Sequence, residues 1–277
     1  MLFFAISLIV VIQAERTHYY ATSADERHYD LVTRLIESIL KVDEQQVAQI
    51  AVFDLGFTGR QRQQLQSLTH VQVYDLEERH PDIKRHFRTS PQNRMVRGWF
   101  AWKPVAIKMA LDMFPYVLYL DSGMILRRSP DVLFKHIQQN GYFLVQSGHN
   151  ICDRMTRAVI ERVVPMLDSE SQVRVLSPEA ISISAGIQGL SREYYERYVK
   201  RVYELTHDLS SFADDGTAKL GFGAGRHDQT VFSIFAHANH MTINPEGWMK
   251  LMVDGAAVPF HAHWNTRELN EQSYLKY

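Results

Sequence analysis

The feature that most constrains this chain is a rhythm: short apolar runs alternate with helical stretches through its first quarter. Residues 17–22 (THYYAT), 50–55 (IAVFDL) and 71–74 (VQVY) are rich in aromatic and β-branched side chains and read as strands. Between the first two, Leu31, Leu35 and Ile39 recur at four-residue steps with Val32, Ile36 and Leu40 beside them, which predicts a helix with a wide apolar stripe. Residues 58–68 read as a polar helix that turns Leu65 and Leu68 inward. A β-α-β-α-β order of this kind predicts a parallel sheet covered by helices.

The remainder extends the same pattern. Residues 79–98 are basic and irregular and read as a long surface loop. A helix is expected over 102–114, with Pro104 tolerated in its first turn. An apolar strand follows at 116–120 (YVLYL) and stops at Asp121-Ser122-Gly123, and 124–126 continues extended. Ser129-Pro130 opens a helix through Ile137, 142–146 is a strand, and 155–167 is an amphipathic helix. Residues 181–190 read as two short strands or one bent strand, and 191–207 as a helix capped by Ser191. The stretch 209–225 is polar and glycine-bearing, 228–237 is helical, and 258–263 is strand-like. With no internal repeat, one α/β domain over 15–277, a mostly parallel central sheet flanked by helices, is the economical expectation.

Composition removes several classes. The 277 residues carry 30 Lys+Arg against 31 Asp+Glu, a formal net charge of −1, which gives no electrostatic case for nucleic acid as a partner. With 45% hydrophobic residues and few glycines and prolines, the chain is neither disordered nor collagenous. The single cysteine, Cys152, forms no intrachain disulfide. Residues 1–12 are almost wholly apolar and too short to span a bilayer, which takes roughly 20 residues. Residues 1–14 read as a signal peptide with Gln13-Ala14 as its cleavage site, or as a buried first strand or the remnant of a longer anchor. The first reading places the protein in the secretory pathway or outside the cell, with membrane association through the N-terminus; the second leaves it cytoplasmic.

The most informative segment is YVLYLDSGMIL. An apolar strand that delivers an acid at its carboxyl end puts Asp121 in the crevice where open α/β sheets bind ligands. Asp-Ser-Gly is also ordinary turn chemistry, and both readings stand. His261 and His263, two apart, face the same side of a strand and suit a metal or a diphosphate. The chain contains no P-loop, no dinucleotide GxGxxG after a strand, no Gly-X-Ser-X-Gly elbow and no HExxH.

WKPVAIKMAL followed by VLYLDSGMIL resembles the core of GT-A nucleotide-sugar glycosyltransferases, most closely family 8 and its relatives. ISISAGIQGL, RHDQTVFSIF and PFHAHWN are similar to that family's later segments in order and approximate spacing. The resemblance implies a GT-A-like domain that moves a hexosyl group from a nucleoside-diphosphate sugar, with UDP the expected nucleotide, to a hydroxyl of a glycan, glycoprotein or glycolipid, with retention at the anomeric carbon. A degenerate GT-A module that binds without turnover is the alternative. The resemblance further implies a divalent cation, Mn²⁺ or Mg²⁺, held by Asp121 with His263 or His261, although Gly123 stands where the family's second aspartate falls.

In the same terms Lys103 assists the leaving diphosphate, and Asp228 with Gln229 orients the donor sugar. Thr22, Ser23, Asp121, Ser122, Gly123, Ala185 and Gly186 line the donor pocket. Blander readings accompany these: Lys103 as a solvated lysine, Ser23 and Asp228 as helix caps, Gly186 as a bulge. Arg94, Arg97 and Asp54 are lesser candidates. The tyrosines of 194–203 read as core packing ahead of a sugar platform.

Overall fold

The computed structural model describes residues 16–89, 95–245 and the backbone of 262–264. The N-terminal apolar run, Arg94 and His261 lie outside the described residues, as does the side chain of His263. The chain opens with β1 (His18–Ala24), α1 (Tyr29–Asp43), β2 (Val47–Asp54), α2 (Gly59–Gln66) and β3 (Val71–Asp75). A short hairpin of β4 (His86–Arg88) and β5 (Met95–Arg97) leads to α3 (Trp102–Met113), β6 (Tyr116–Leu120), β7 (Met124–Leu126) and α4 (Asp131–Asn140). Then come β8 (Tyr142–Asn150), α5 (Arg157–Arg162), α6 (Ser169–Leu176), β9 (Ile181–Ser191), α7 (Lys200–Glu204), α8 (His227–Ala238) and β10 (Ala262–Trp264).

Six strands form the central sheet in the order β3-β2-β1-β6-β9-β8. The pairs β3-β2, β2-β1 and β1-β6 are parallel, whereas β9 is antiparallel to both β6 and β8. Five strands therefore share one direction and β9 alone reverses it, so the sheet is mostly parallel with helices on both faces, as the alternating sequence pattern predicts. The two-residue period of each strand sorts its side chains. Tyr20, Ile50, Val52, Leu118 and Leu120 meet one apolar core, together with Leu35, Ile36 and Ile39 of α1 and Leu133 and Phe134 of α4. Ala21, Phe53, Val117 and Tyr119 meet the other, together with Val105, Ala106 and Ile107 of α3 and Val231, Phe232 and Ile234 of α8. Because Asp121 follows Tyr119 by two, its side chain belongs to the α3–α8 face. Among the described residues, no helix is long and apolar enough to cross a membrane.

Local signals explain the boundaries. Thr58 caps α2 through a capping box with Gln61, and Gly141 ends α4 in the left-handed region at φ +82°. Asp25, not Ser23, caps the turn before α1 by accepting from the backbone N–H groups of Arg27 and His28. Of the two readings of 181–190, the structure has the single strand, Ile181–Ser191. Three expectations need correction. The supposed loop at 79–98 contains the β4–β5 hairpin. The expected helix over 155–167 stops at Arg162 and continues as a 3₁₀ turn, with a further helix, α6, behind it. The expected helix over 191–207 is broken into 3₁₀ and π turns around α7, and the Ser191 side chain makes no capping hydrogen bond. The π turn spans Tyr195–Val199 and buries Tyr198 completely, with its hydroxyl donating to Gln188 Oε1 on β9 at 2.9 Å. Tyr203 is likewise held, donating to Glu77, so two of the helix's four tyrosines are tied into the structure through their hydroxyls.

The turn entering α3 is backbone of an uncommon kind. Gly98, Trp99 and Phe100 all have positive φ (52°, 50° and 59°), a region that costs an L-residue roughly 1–2 kcal/mol. Glycine is required at the first position, because a Cβ there would lie 1.8 Å from the Ile83 carbonyl oxygen. Gly98→Ala is expected to destabilise the fold by about 2 kcal/mol or more through this overlap. Urea unfolding of the two proteins reads the difference directly, and equal midpoints would contradict the geometry.

Candidate active site

Three elements deliver charged side chains to one buried point. Lys103, in the first turn of α3, is 3% exposed, and its ammonium lies 2.9 Å from Asp121 Oδ1 and 3.1 Å from Asp228 Oδ2. It also donates to the carbonyl of Ala185 on β9 at 3.2 Å. Hydrogen-bond acceptors at the end of β6 and on β9, with the Asp228 carboxylate of α8 at ion-pair distance, thus surround the ammonium, and the solvated reading of Lys103 is replaced by a buried hub. Tyr119 donates its hydroxyl to Asp121 Oδ1 at 3.1 Å. Asp121 is the member that meets solvent, with its side chain 24% exposed.

The electrostatics follow from burial. Desolvation opposes the Lys103 ammonium, but Asp121 and then Asp228 outweigh it and raise its pKa above the ordinary lysine value. Asp228 goes the other way: desolvation, reinforced by Asp121, outweighs Lys103 and pushes its pKa to about 6. Its Oδ2 lies at ion-pair distance from Lys103 yet outside hydrogen-bond geometry. Burial and Asp121 raise the Tyr119 phenol well above its usual value, so it remains a donor. At neutral pH two carboxylates share one ammonium, leaving one net negative charge at the crevice.

The backbone around Asp121 is pinned on both sides. Its N–H donates to the Gly186 carbonyl at 2.9 Å, and its own carbonyl accepts from Met124 N–H at 2.9 Å, closing a turn over Ser122 and Gly123. Turn chemistry and the placement of a carboxylate are therefore one feature. Ala185 and Gly186 meet Lys103 and Asp121 through their carbonyls. Gln229 donates to Ser147 Oγ on β8 at 2.8 Å. Asp228 sits in the first turn of α8 but does not cap it, because Arg226 occupies the N-cap position.

Thr22 and Ser23 separate. Ser23 shares its face with Ala21, toward Tyr119, whereas Thr22 shares its face with Tyr20 and Ala24, toward α1, where its buried hydroxyl has no hydrogen-bond partner. Asp25, at the end of β1, accepts from Arg97 Nε at 2.9 Å and lies 2.6 Å from His28 Nδ1. Although desolvation opposes it, His28 and Arg97 hold its carboxyl well below the usual range. Arg97 is thereby committed to Asp25 and the Lys84 carbonyl. Asp54 is spent locally on the N–H groups of Gly56 and Phe57, both at 2.7 Å, and on Arg62.

The sequence reading missed Tyr119 and the aromatic wall beside the site. Trp99 stacks on Phe87 with centroids 5.1 Å apart, and the rings of Trp99 and Phe100 lie 5.3 Å and 5.5 Å from His227. His227 also has positive φ, 48°, and its Nδ1 lies 2.8 Å from the Phe212 carbonyl. Left-handed backbone therefore precedes both Lys103 and Asp228, an accumulation of strain typical of functional sites. The period-two alternation of β6 already carried the signal for Tyr119.

For a divalent cation, the donor set is one partly exposed carboxylate with surplus negative charge, and β10 pairs with β7 so that His263 stands opposite Ile125, two residues beyond Gly123. Magnesium-class ions are commonly held by one or two carboxylates plus substrate phosphate oxygens. Asp121 offers one such carboxylate, with both of its oxygens also engaged by Lys103 or Tyr119.

No protein-family model matches the chain, and no curated sequence matches it. Solved structures do resemble it. The mannosyltransferase Ktr4p from S. cerevisiae, in complex with GDP, is similar over 92% of this chain and 72% of that one, with TM-score 0.55 and 9% identity. Core-mannan synthase A from Aspergillus fumigatus, in an Mn/GDP form, is similar over 81% of this chain and 70% of that one, with TM-score 0.50 and 10% identity. The galactosyltransferase LgtC is similar over 75% and 72%, with TM-score 0.42 and 13% identity. The fold is that of the GT-A nucleotide-sugar glycosyltransferases; placement in family 8 within that fold is not supported.

Removing the ammonium leaves the buried carboxylate of Asp228 facing the partly exposed one of Asp121. Lys103→Met is expected to cost about 3–5 kcal/mol in denaturant unfolding, with the K103M/D228N double variant recovering part of the loss. Asp228 also has a pH signature. Unfolded, it ionises near 3.8, whereas in the fold it holds its proton to about 6, so its contribution to stability falls as pH rises across that window. The Tm of wild type minus that of Asp228→Asn should therefore decline from pH 4 to pH 6; a constant difference would refute the raised pKa.

Proposed function

We propose that this protein is a glycosyltransferase that uses a nucleoside-diphosphate hexose as donor and a hydroxyl-bearing glycan, glycoprotein or glycolipid as acceptor. The observation that carries the proposal is Asp121, placed at the carboxyl end of a buried strand and held by Lys103 and Tyr119 while one edge stays open to solvent. In the reaction the bond from the anomeric carbon to the diphosphate oxygen breaks and a bond to the acceptor oxygen forms. The nucleoside diphosphate leaves with the electron pair and takes up the acceptor's proton.

Asp121, with His263 from β10, would hold Mn²⁺ or Mg²⁺, which supplies positive charge to the departing diphosphate. Lys103 has its N–H groups directed at Asp121, Asp228 and Ala185 O, so its role is to position the two carboxylates rather than to meet the phosphate. Asp228 and Gln229 frame the sugar, with room left by Ala185 and Gly186. Ser23 faces this pocket, while Thr22 serves it only through the strand backbone. Arrival through the secretory pathway accords with a glycan acceptor, and retention at the anomeric carbon is the stereochemical expectation.

UDP-hexoses and GDP-hexoses incubated with the protein and Mn²⁺ distinguish the nucleotide by which diphosphate is released. Asp121→Asn should lower that release by about 100-fold or more, the scale of losing a group that stabilises charge in the transition state. Undiminished release in D121N would overturn the assignment, and donor binding without turnover on any acceptor would identify a binding module instead.

A further inference from the structure

At the opposite end of the sheet, three elements gather ionisable side chains that the proposed reaction does not use. His18 opens β1, Asp43 closes α1 and Asp131 opens α4. At about 3.3 Å per strand residue, His18 stands roughly 16 Å along the sheet from Ser23, which is level with Asp121. Its Nδ1 lies 2.8 Å from Asp43 Oδ2, an oxygen that also accepts from the Tyr20 hydroxyl. The imidazole lies flat on Phe134, with centroids 3.9 Å apart and planes 12° apart. His18 is thus fixed in position and ring plane, with Nδ1 turned to Asp43 and Nε2 turned to Asp131.

Nε2 is the nitrogen that faces Asp131. Nε2 lies 3.7 Å from Asp131 Oδ1, too far for a hydrogen bond, and makes none with any described residue. His18 is 5% exposed, so a buried nitrogen stands 3.7 Å from a half-exposed carboxylate. Ligand atoms of all three residues fall within 4.8 Å of one another. Two ligands of a tetrahedral zinc ion at about 2.0–2.1 Å stand about 3.3 Å apart, so a swing of a few tenths of an ångström by Asp131, 52% exposed, closes the gap.

We infer that His18 and Asp131 bind a divalent transition-metal ion of the zinc class, with Asp43 as the positioning residue. A carboxylate that accepts the far N–H of a metal-bound imidazole is the usual support for such a ligand. The imidazole selects zinc-class ions over Mg²⁺ and Ca²⁺, which prefer oxygen, and so separates this ion from the one proposed at Asp121. Water completes the coordination from the exposed side of Asp131. The site binds metal whether or not the chain transfers sugar.

The test is calorimetric titration of the tag-free full chain with ZnCl₂ in excess MgCl₂, run on wild type, Asp131→Ala and Asp121→Asn. Asp131 is half exposed, so its variant tests the site without disturbing the core. Zinc should bind wild type and D121N alike, and D131A should raise the Kd by about tenfold or more. Zinc-induced thermal shifts should follow the same order, with His18→Gln as a second variant that keeps a hydrogen bond to Asp43. Absence of zinc binding in wild type, unchanged affinity in D131A, or loss in D121N alone would each overturn the inference. The last two outcomes would leave His18 and Asp131 as a proton-bridged ion pair.

Discussion

A lysine with no access to water organises this molecule. An ammonium removed from solvent costs several kcal/mol unless every N–H finds an acceptor and its charge finds an opposite one. Lys103 is held because the end of β6 and the middle of β9 supply it with hydrogen-bond acceptors while the first turn of α8 brings the Asp228 carboxylate to ion-pair distance. The reversed direction of β9 serves the same end: running against β6, it brings the carbonyls of Ala185 and Gly186 beside the Lys103 ammonium and the Asp121 N–H. The sheet topology and the charge cluster are thus one arrangement seen at two scales.

The strain near the cluster has a structural logic. Trp99, Phe100 and His227 occupy left-handed backbone, and their rings pack on one another beside the ammonium. Lys103 Nζ lies within 6 Å of the Phe100, Trp102 and Tyr119 ring centroids, at 5.8, 5.8 and 5.6 Å. At that range the ring faces attract a desolvated cation. The aromatic wall therefore both excludes water from the ion pairs and offsets part of the desolvation, and the packing gained holds the uncommon turns in place.

Much of the fold was legible because it rests on period. The alternating strands and the stripe of α1 follow from the spacing of apolar residues, and the position of Asp121 follows from a strand that stops at an acid. What escaped depends on side chains meeting across the chain. Nothing near 191–207 announces a π turn, and the Tyr198–Gln188 hydrogen bond within it joins side chains ten positions apart. The β4–β5 hairpin hides in a basic stretch because its strands have three residues each and carry no alternation. His18 and Asp131 are 113 positions apart and share no motif, so only the packing of α4 against β1 brings them together. Family resemblance singles out Lys103, but its burial was not legible, because a lysine in a first helical turn is ordinarily solvated.

The acids at the carboxyl ends of the strands differ in how their charge is met. Asp25, Asp54, Asp75 and Asp121 all stand at or just past such an end. Asp25 is neutralised by Arg97 and His28 and spent on a cap. Asp54 and Asp75 share Arg62, also two carboxylates to one cation, but Asp75 is 77% exposed and water screens the surplus. Around Lys103 the same two-to-one ratio is enclosed, with Asp228 buried and only Asp121 reaching the crevice. Screening is weakest where burial is greatest, so the unbalanced charge is expressed through the one oxygen edge that solvent and a ligand can reach. A cation paired with a diphosphate is the kind of species such an edge attracts, and the other three strand-end acids, being locally balanced or screened, do not compete for it.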